Sequence, residues 1–373
     1  MKKIINIILC LLFVFSLASC KIETRPQTNK LSIEHETKFT GFYIHITIDD
    51  FNDLGFEYGD SLDIKLSNGK EYLDIPYYTG YYTNRGGTLM VAYPGYPYIK
   101  LCKNNGADIY LEDNLTEDLT AVVSLHEKGK YSVVQDSLNI THSDNRDNYK
   151  SDEVFANFRS INGGNIILDN FYRGASPCDN LYNRAPYVSK LLEENGIKYL
   201  IDLADSEEET KGYFNDDTLD CPYWKSLYEN NKILTLDMSA NYGTNDYKAS
   251  VIEILKTITK EKGPFYIHCT EGKDRTGFVC LVIETLAGFS VDEIINDYMI
   301  TYDNYYGINK ETNEEKYNVI KNLYLADMTN FLCNEKDLSK VTNEMLEKGV
   351  IDYLKSGSLT DKEIEDIKLA ITK

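Results

Sequence analysis

Apolar and polar residues alternate in short runs through the first third of the chain. Ser61–Leu66 alternates cleanly and leads into Asn68-Gly69, a pair that strongly favours a hairpin turn. Similar runs, rich in β-branched and aromatic residues, occupy Phe42–Ile48, Thr88–Tyr93, Tyr98–Cys102 and Thr120–Leu125. Short strands at this spacing predict a small all-β domain, either a barrel or a sandwich, over residues 37–143.

From about residue 152 the pattern changes to apolar runs that alternate with segments of helical periodicity. The predicted strands are Ile197–Leu203, Lys232–Met238 and Phe265–His268. The predicted helices are Asn183–Asn195, Asp246–Lys262 and Thr276–Leu286, and capping-box sequences at Ser290 and Thr360 open two more. This alternation predicts an α/β domain over residues 152–335, with a mostly parallel central sheet flanked by helices, and a helical extension over residues 336–373.

The amino terminus has the pattern of a targeting segment. Two lysines precede the apolar run Ile4–Leu17 and small residues follow it, so residues 1–19 are predicted to be a secretory signal. Leu17-Ala18-Ser19-Cys20 resembles a bacterial lipobox, which implies cleavage before Cys20 and acylation of that cysteine. The alternative is a plain signal peptide with an incidental cysteine. We expect an exported protein anchored to a bilayer through Cys20, on the cell surface or the periplasmic face, with residues 20–36 as a tether.

Composition limits the classes of partner. The chain has 373 residues, 39 Lys and Arg against 59 Asp and Glu, and a formal net charge of -20. This acidity argues against a general nucleic-acid binder, because such proteins need a basic face. The histidines at 45, 126 and 142 have no metal-ligand spacing and are interpreted as structural or surface residues. Six cysteines follow Cys20 at wide spacing, which favours buried free thiols: Cys102, Cys178, Cys221, Cys269, Cys280 and Cys333.

The candidate chemistry lies in one loop, from His268 to Gly277, between a predicted strand and a predicted helix. Such a loop presents backbone N–H groups and the positive end of the helix dipole, which together cradle a tetrahedral oxyanion. The same field stabilises a thiolate at Cys269 and makes it nucleophilic. Arg275, six positions later, can hold two oxygens of the anion, and the hydroxyl of Thr276 can donate to the thiolate.

This loop closely resembles the signature of the cysteine-dependent protein tyrosine phosphatases. Its ending, Gly-Lys-Asp-Arg-Thr-Gly, resembles the bacterial tyrosine and dual-specificity branch of that family. The segments Asn157-Phe158-Arg159, Tyr172-Arg173-Gly174-Ala175 and Ile201-Asp202-Leu203 resemble further motifs of the branch, over residues 152–335. Ala204 departs from the pattern, since the branch usually carries an arginine there. Arg159 or Arg173 is the candidate to replace that phosphate contact.

The resemblance implies two-step hydrolysis of a phosphomonoester through a phosphocysteine at Cys269, with no metal or cofactor. His268 would orient or tune the thiolate by hydrogen bonding. The phosphate would be bound by the loop residues Thr270, Glu271, Gly272, Lys273, Asp274 and Arg275.

A general acid must protonate the leaving oxygen, and two aspartates are the leading candidates. Asp237 ends a predicted strand and has the family spacing, whereas Asp274 lies within the loop itself. Weaker candidates are Asp202, Asp205 and Asp246. The tyrosine-rich stretch from Asp297 to Gly307 either packs as a helix or forms an aromatic rim for an aryl substrate.

The leading hypothesis is a phosphatase acting on phosphotyrosine in proteins or on small phosphomonoesters, with dual-specificity and phosphoinositide activity as further options. A cysteine-type phytase is one alternative, but it would need a strongly basic pocket. A non-catalytic, surface-binding lipoprotein is another, and the intact Cys269, Arg275 and Thr276 argue against it. Because the chain is acidic, attraction of phosphate must come from a local field, and this favours singly phosphorylated substrates.

Overall fold

The structure is a computed structural model that describes residues 25–373. The described chain forms two compact units. The β unit contains the described residues up to Tyr81, together with Thr88–Lys103 and Ala107–Ser132. The α/β unit contains Val133–Lys373 and two short segments from earlier in the chain, Tyr82–Gly87 and Asn104–Gly106.

The β unit is a closed barrel of seven strands, which selects the barrel from the two architectures expected. Its strands are β1 (Leu31–His35), β2 (Phe42–Ile44), β3 (Ser61–Leu66), β4 (Glu71–Tyr78), β5 (Thr88–Val91), β6 (Ile99–Lys103) and β7 (Thr120–Glu127). They close in the order β1-β2-β6-β5-β4-β3-β7. Two short helices, α1 (Ile48–Asp53) and α2 (Ile109–Glu112), accompany the barrel.

Two features of the barrel differ from the prediction. Strand β1 lies where a tether was expected, because Ile33 is a buried barrel residue paired with Ile44 of β2. Strand β2 is also shorter than the run that predicts it. That run stops because Thr47 caps α1, its side chain accepting a hydrogen bond from the backbone N–H of Asp50.

The α/β unit contains the remaining elements. Its strands are β8 (Arg159–Ser160), β9 (Phe171–Gly174), β10 (Tyr199–Asp202), β11 (Ile233–Thr235) and β12 (Phe265–His268). Its α-helices are α3 (Ser132–Leu138), α4 (Asp152–Phe155), α5 (Ala185–Glu194), α6 (Glu207–Phe214), α7 (Pro222–Glu229), α8 (Asn245–Lys260), α9 (Asp274–Leu286), α10 (Val291–Tyr306), α11 (Glu314–Ile320), α12 (Ala326–Cys333), α13 (Asn343–Ser356) and α14 (Asp361–Ile371). Arg146–Asn148 and Leu338–Lys340 are 3₁₀ turns, and Lys321–Leu325 is a π-helical turn.

The sheet has the order β11-β10-β12-β9-β8. Strands β11, β10, β12 and β9 run parallel, and only the edge strand β8 is antiparallel to its neighbour. The register places Asp202, His268 and Gly174 side by side at the carboxyl ends of the three central strands. This edge of the sheet is where parallel α/β folds place their ligands.

The expected carboxyl-terminal extension is part of the core of the α/β unit. Ile364, Ile367 and Ile371 of α14 are at most 4% exposed and belong to the same apolar cluster as α9. The backbone N–H of Lys373 donates to the carbonyl of Asn165, which ties the end of the chain to an earlier loop. Residues 336–373 therefore do not form a separate extension.

Cys20 and the signal segment lie outside the described residues. The six cysteines that follow Cys20 are all free thiols, and five of them are buried. Within residues 25–373, the helices are too short or too polar to cross a bilayer.

Candidate active site

The loop from Cys269 to Lys273 joins β12 to α9 at the carboxyl edge of the sheet. β12 is buried along its whole length in the centre of the sheet, and α9 is buried from Thr276 to its end. Cys269 is itself 4% exposed. No side chain caps the first turn of α9, which leaves its backbone N–H groups to the loop side.

Two glycines allow this loop its shape. Gly272 has a φ of +68°, and a Cβ there would lie 2.1 Å from the carbonyl oxygen of Gly174. A Cβ at Gly277 would lie 2.7 Å from the ring of Tyr298 on α10. Both positions therefore require glycine for close approach of the backbone, and this holds the loop against β9 and α10.

Arg275 extends across the mouth of the loop. Its Nη2 donates to the hydroxyl of Thr270 at 3.3 Å, and its Nη1 donates to the carbonyl of Met238 at 3.1 Å. The adjacent Thr276 is fully buried, and its hydroxyl has no hydrogen-bond partner among the described residues. The roles implied for these two side chains in binding phosphate and stabilising the thiolate stay predictions.

His268 is fully buried, and neither of its ring nitrogens has a hydrogen-bond partner in residues 25–373. The expected side-chain hydrogen bond that tunes the thiolate is therefore not observed. Burial lowers the pKa of His268 to about 4, so the imidazole is neutral at neutral pH. Its Nδ1 lies 3.9 Å from Oδ1 of Asp202.

Both leading candidates for the general acid lie at this edge. Asp237 is exposed and has a φ of +42°, and the residue after it accepts the hydrogen bond from Arg275. Asp274 is the first residue of α9, and its side chain is 55% exposed with its carboxylate 3.8 Å from Nζ of Lys273. The geometry is compatible with either residue as the proton donor.

The three weaker candidates have different surroundings. Asp202 is fully buried, and Asp205 is 6% exposed. Burial raises the pKa of Asp202 to about 6, whereas burial and the neighbouring charge of Asp202 raise the pKa of Asp205 to about 7. Asp246 lies exposed in the first turn of α8.

Arg159 and Arg173, the candidates for the missing phosphate contact, both form ion pairs with one aspartate. Arg159 Nε lies 2.7 Å and Arg173 Nη1 lies 2.5 Å from the carboxylate of Asp297 on α10. Although burial opposes it, the charges of both arginines hold the pKa of Asp297 well below its usual range. Arg173 also donates to the carbonyl of Gly272 at 3.0 Å, which connects the ion pair of Arg173 and Asp297 to the phosphate-binding loop. Both arginines are thus engaged with Asp297, while Nε of Arg173 has no hydrogen-bond partner among the described residues, and a phosphate contact by either arginine stays a prediction.

The structure adds a histidine that the sequence does not single out. Nε2 of His142 lies 2.9 Å from the carboxylate of Glu271, and its Nδ1 lies 3.2 Å from Asp144. Burial opposes ionisation of Glu271, but the hydrogen bond from His142 and the charge of Lys273 lower its pKa to about 2. The hydroxyl of Tyr305 donates to the Glu271 carbonyl at 2.7 Å. His142 is 129 residues from Glu271 in sequence, and no local sequence pattern indicates that the two side chains pair.

A second addition is Arg85, in the segment Tyr82–Gly87 of the α/β unit. Its Nη2 donates to the side-chain carbonyl of Asn241 at 2.5 Å, and its guanidinium lies 5.2 Å from the ring centroid of Tyr242. Tyr242 in turn hydrogen-bonds to Asp327. The segment 238–243, which follows Asp237, is thus held by hydrogen bonds from Arg275 to Met238 and from Arg85 to Asn241.

The tyrosine-rich stretch is a helix that packs into the core. Tyr298, Tyr302 and Tyr305 of α10 are each at most 4% exposed. The packing interpretation is therefore confirmed for these three residues. Tyr306, at the end of α10, is partly exposed.

A sequence profile of the tyrosine phosphatase family matches residues 154–373. The chain belongs to the tyrosine phosphatase family. It is a cysteine-dependent phosphatase, as the loop motif predicts. The match begins close to the expected boundary at residue 152 and extends through α14, in agreement with the packing of that helix in the core.

The solved structures that match part of this phosphatase do so at low sequence identity. The core catalytic domain of the PP-IP phosphatase SIW14 from S. cerevisiae, in complex with citrate, is 19% identical, with 45% of this chain and 85% of that chain covered and a TM-score of 0.27. TpbA from P. aeruginosa in complex with pTyr is 15% identical, with 46% and 94% covered and a TM-score of 0.26. A search of curated proteins finds no match.

Proposed function

We propose that this phosphatase hydrolyses phosphomonoesters of aryl hydroxyls, with phosphotyrosine in proteins as the preferred substrate, through a phosphocysteine at Cys269. The single observation that carries the proposal is the geometry of the loop. Cys269 and Arg275 stand at its two ends, at the carboxyl edge of a parallel sheet and the open first turn of α9. Such an arrangement binds a tetrahedral dianion beside a nucleophilic thiolate.

In the first step, Sγ of Cys269 attacks phosphorus in line. The S–P bond forms while the bond from phosphorus to the leaving oxygen breaks, and the carboxylic acid of Asp237 or Asp274 gives that oxygen a proton. In the second step, water attacks phosphorus while the carboxylate left by the first step takes up a proton from it, the S–P bond breaks, and phosphate and the thiolate are released. The loop N–H groups and the Arg275 guanidinium stabilise the charge on the three equatorial oxygens.

The charge distribution supports a singly phosphorylated substrate. The loop contributes Lys273 and Arg275, whereas Arg159 and Arg173 are engaged with Asp297. The net charge of the chain is -20, so a substrate with many phosphates is repelled beyond the loop itself. This disfavours inositol hexakisphosphate, the substrate of the alternative phytase function.

We also propose that the enzyme is exported and anchored to a bilayer through an acylated Cys20. The support is the lipobox-like segment Leu17-Ala18-Ser19-Cys20 after a short apolar run. Mass spectrometry of the amino-terminal peptide from membranes tests the proposal, and an unmodified Cys20 would contradict it.

The test of the catalytic proposal measures turnover of p-nitrophenyl phosphate and of a phosphotyrosine peptide by the full chain with reductant. We expect turnover by the wild type, loss of at least about 10³-fold in Cys269→Ser, and little change in Cys221→Ser, a matched buried cysteine in the same unit. Acid quenching should trap a phosphoenzyme only where Cys269 is present. Turnover of inositol hexakisphosphate in preference to the peptide would contradict the proposed substrate class, and turnover by Cys269→Ser would contradict the mechanism.

A further inference from the structure

Three ligand-type side chains meet behind the phosphate-binding loop. Sγ of Cys178 and carboxylate oxygens of Asp202 and Asp205 all lie within 4.8 Å of one another. Their residues are 1%, 0% and 6% exposed, so the cluster lies inside the α/β unit. Cys178 follows β9, and the two aspartates stand at the end of β10 and just after it.

The carboxylate of Asp202 is only partly satisfied, whereas Sγ of Cys178 hydrogen-bonds with Oγ of Ser176 and with Oδ2 of Asp205. Oδ1 of Asp202 accepts hydrogen bonds from the N–H groups of Ala204 and Asp205, but its Oδ2 has no partner among the described residues. Within residues 25–373, no lysine or arginine forms an ion pair with Asp202 or Asp205. A buried acceptor that lacks a partner is costly, so a cation at this position would stabilise the fold.

A fourth ligand-type group lies beside the cluster. The imidazole of His268 is fully buried, and both of its nitrogens are without a hydrogen-bond partner in the described part of the chain. Its Nδ1 is 3.9 Å from Oδ1 of Asp202. The buried imidazole therefore lies next to the cluster, outside the three side chains whose ligand atoms are all mutually close.

The spacings are close to those around a small tetrahedral ion. Two ligand atoms bound to one tetrahedral zinc ion lie about 3.3–3.8 Å apart, given metal–ligand bonds of about 2.0–2.3 Å. Sγ of Cys178 is 3.8 Å from Oδ2 of Asp205, at the upper end of this range. The other ligand atoms of the cluster lie within 4.8 Å, so binding of the ion would draw the three side chains together by up to about 1 Å.

We propose that Cys178, Asp202 and Asp205 form a zinc site behind the phosphate-binding loop, beside the imidazole of His268. A thiolate among the ligands selects Zn²⁺ over Ca²⁺ and Mg²⁺, which prefer oxygen. The ion takes no part in phosphoryl transfer. It links the loop after β9 to the end of β10, and its charge adds to the field around the nucleophile.

Zinc binding is best measured in the inactive full-length Cys269→Ser variant, so that the catalytic thiolate cannot bind the ion. After dialysis against Zn²⁺ and removal of the excess, elemental analysis should find one zinc per chain. Cys178→Ser in the same background should weaken binding at least tenfold, and Cys221→Ser should not. Co²⁺ in place of Zn²⁺ should give a thiolate charge-transfer absorption that Cys178→Ser abolishes.

Two results would overturn the proposal. One is a folded Cys269→Ser protein that retains no zinc, in which case the carboxyl and thiol groups share protons instead. The other is zinc binding of equal affinity in Cys178→Ser and in the control. Asp205→Asn provides a second variant if circular dichroism shows that Cys178→Ser does not fold. Because the measurement uses an inactive protein, its outcome is independent of the phosphatase assays.

Discussion

Two side chains at the mouth of the phosphate-binding loop compete for the role of general acid. Asp237 and Asp274 are both exposed there: Asp274 directly precedes Arg275 in the chain, and Asp237 directly precedes Met238, whose carbonyl accepts a hydrogen bond from Arg275. The strand position and family spacing of Asp237 favour it, while its left-handed backbone conformation shows a residue held in an unusual geometry.

We predict that Asp237→Asn lowers kcat for phenyl phosphate, a poor leaving group, by about 10²-fold and changes kcat for p-nitrophenyl phosphate much less. The reason is that a good leaving group departs without a proton. Asp274→Asn is the comparison, and it should affect the two substrates equally. If Asp237→Asn keeps full activity on phenyl phosphate while Asp274→Asn loses it, the assignment is reversed.

Glu271 gives a pH-dependent contribution to stability. Its carboxylate faces His142 and Lys273, and its pKa of about 2 lies below the usual value of 4.5. A lowered pKa stabilises the fold fully above pH 4.5, and this contribution is lost as the pH falls towards 2.

We therefore expect Glu271→Gln to lower the free energy of unfolding at pH 7 by up to about 3 kcal/mol. The difference from wild type should shrink by more than half at pH 3. Urea unfolding at both values measures it, with the exposed helix residue Glu365→Gln as the control. A difference that does not depend on pH would rule out this origin.

At the scale of elements, the segment 238–243 carries the chain from β11 towards α8 past the phosphate-binding loop. Arg275 holds its first carbonyl, and Arg85 holds Asn241 and stacks on Tyr242. The Arg85 guanidinium also lies 5.6 Å from the ring centroid of Phe331 on α12. Arg85 is thus a positioning residue for the chain that follows Asp237.

We predict that Arg85→Gln lowers kcat for phenyl phosphate about tenfold, with a smaller effect on p-nitrophenyl phosphate and little change in KM. Arg85→Lys should have a kcat between those of Arg85→Gln and wild type, because lysine keeps the charge but lacks the planar group that stacks on Tyr242. Arg146→Gln, a residue paired with Asp152, is the control. Equal rates for Arg85→Gln and wild type on both substrates would show that Arg85 does not position the acid.

At the scale of the whole molecule, the catalytic unit depends on the last helices of the chain. Leu354 of α13 and Ile367 of α14 are at most 1% exposed and share a core with Val279 of α9. The helix behind the phosphate-binding loop is therefore stabilised by residues almost a hundred positions later.

Ile367→Ala should lower the free energy of unfolding by about 2–5 kcal/mol, since it removes buried methyl groups from a packed core. Leu369 on the same helix is 67% exposed, so Leu369→Ala should change the free energy of unfolding by less than about 0.5 kcal/mol. Thermal or urea unfolding of the full chain measures both. Equal effects would mean that α14 packs loosely, in contradiction to the burial described.

Local sequence patterns predicted the motif of the phosphate-binding loop and most of the elements around it. β3 and β12 match their predicted bounds, and the capping boxes at Ser290 and Thr360 both form. These features are local, because alternation, helical periodicity, capping and the spacing from Cys269 to Arg275 need only neighbouring residues.

The long-range pairings follow from the tertiary structure. It placed His142 on Glu271, Arg159 and Arg173 on Asp297, and β1 against β7 in the barrel. A side chain that pairs across about a hundred residues carries no local pattern, since its partner is set by the order and register of strands. The residues of the phosphate-binding loop could thus be predicted from a local motif, whereas the groups that hold this loop in place come from packing.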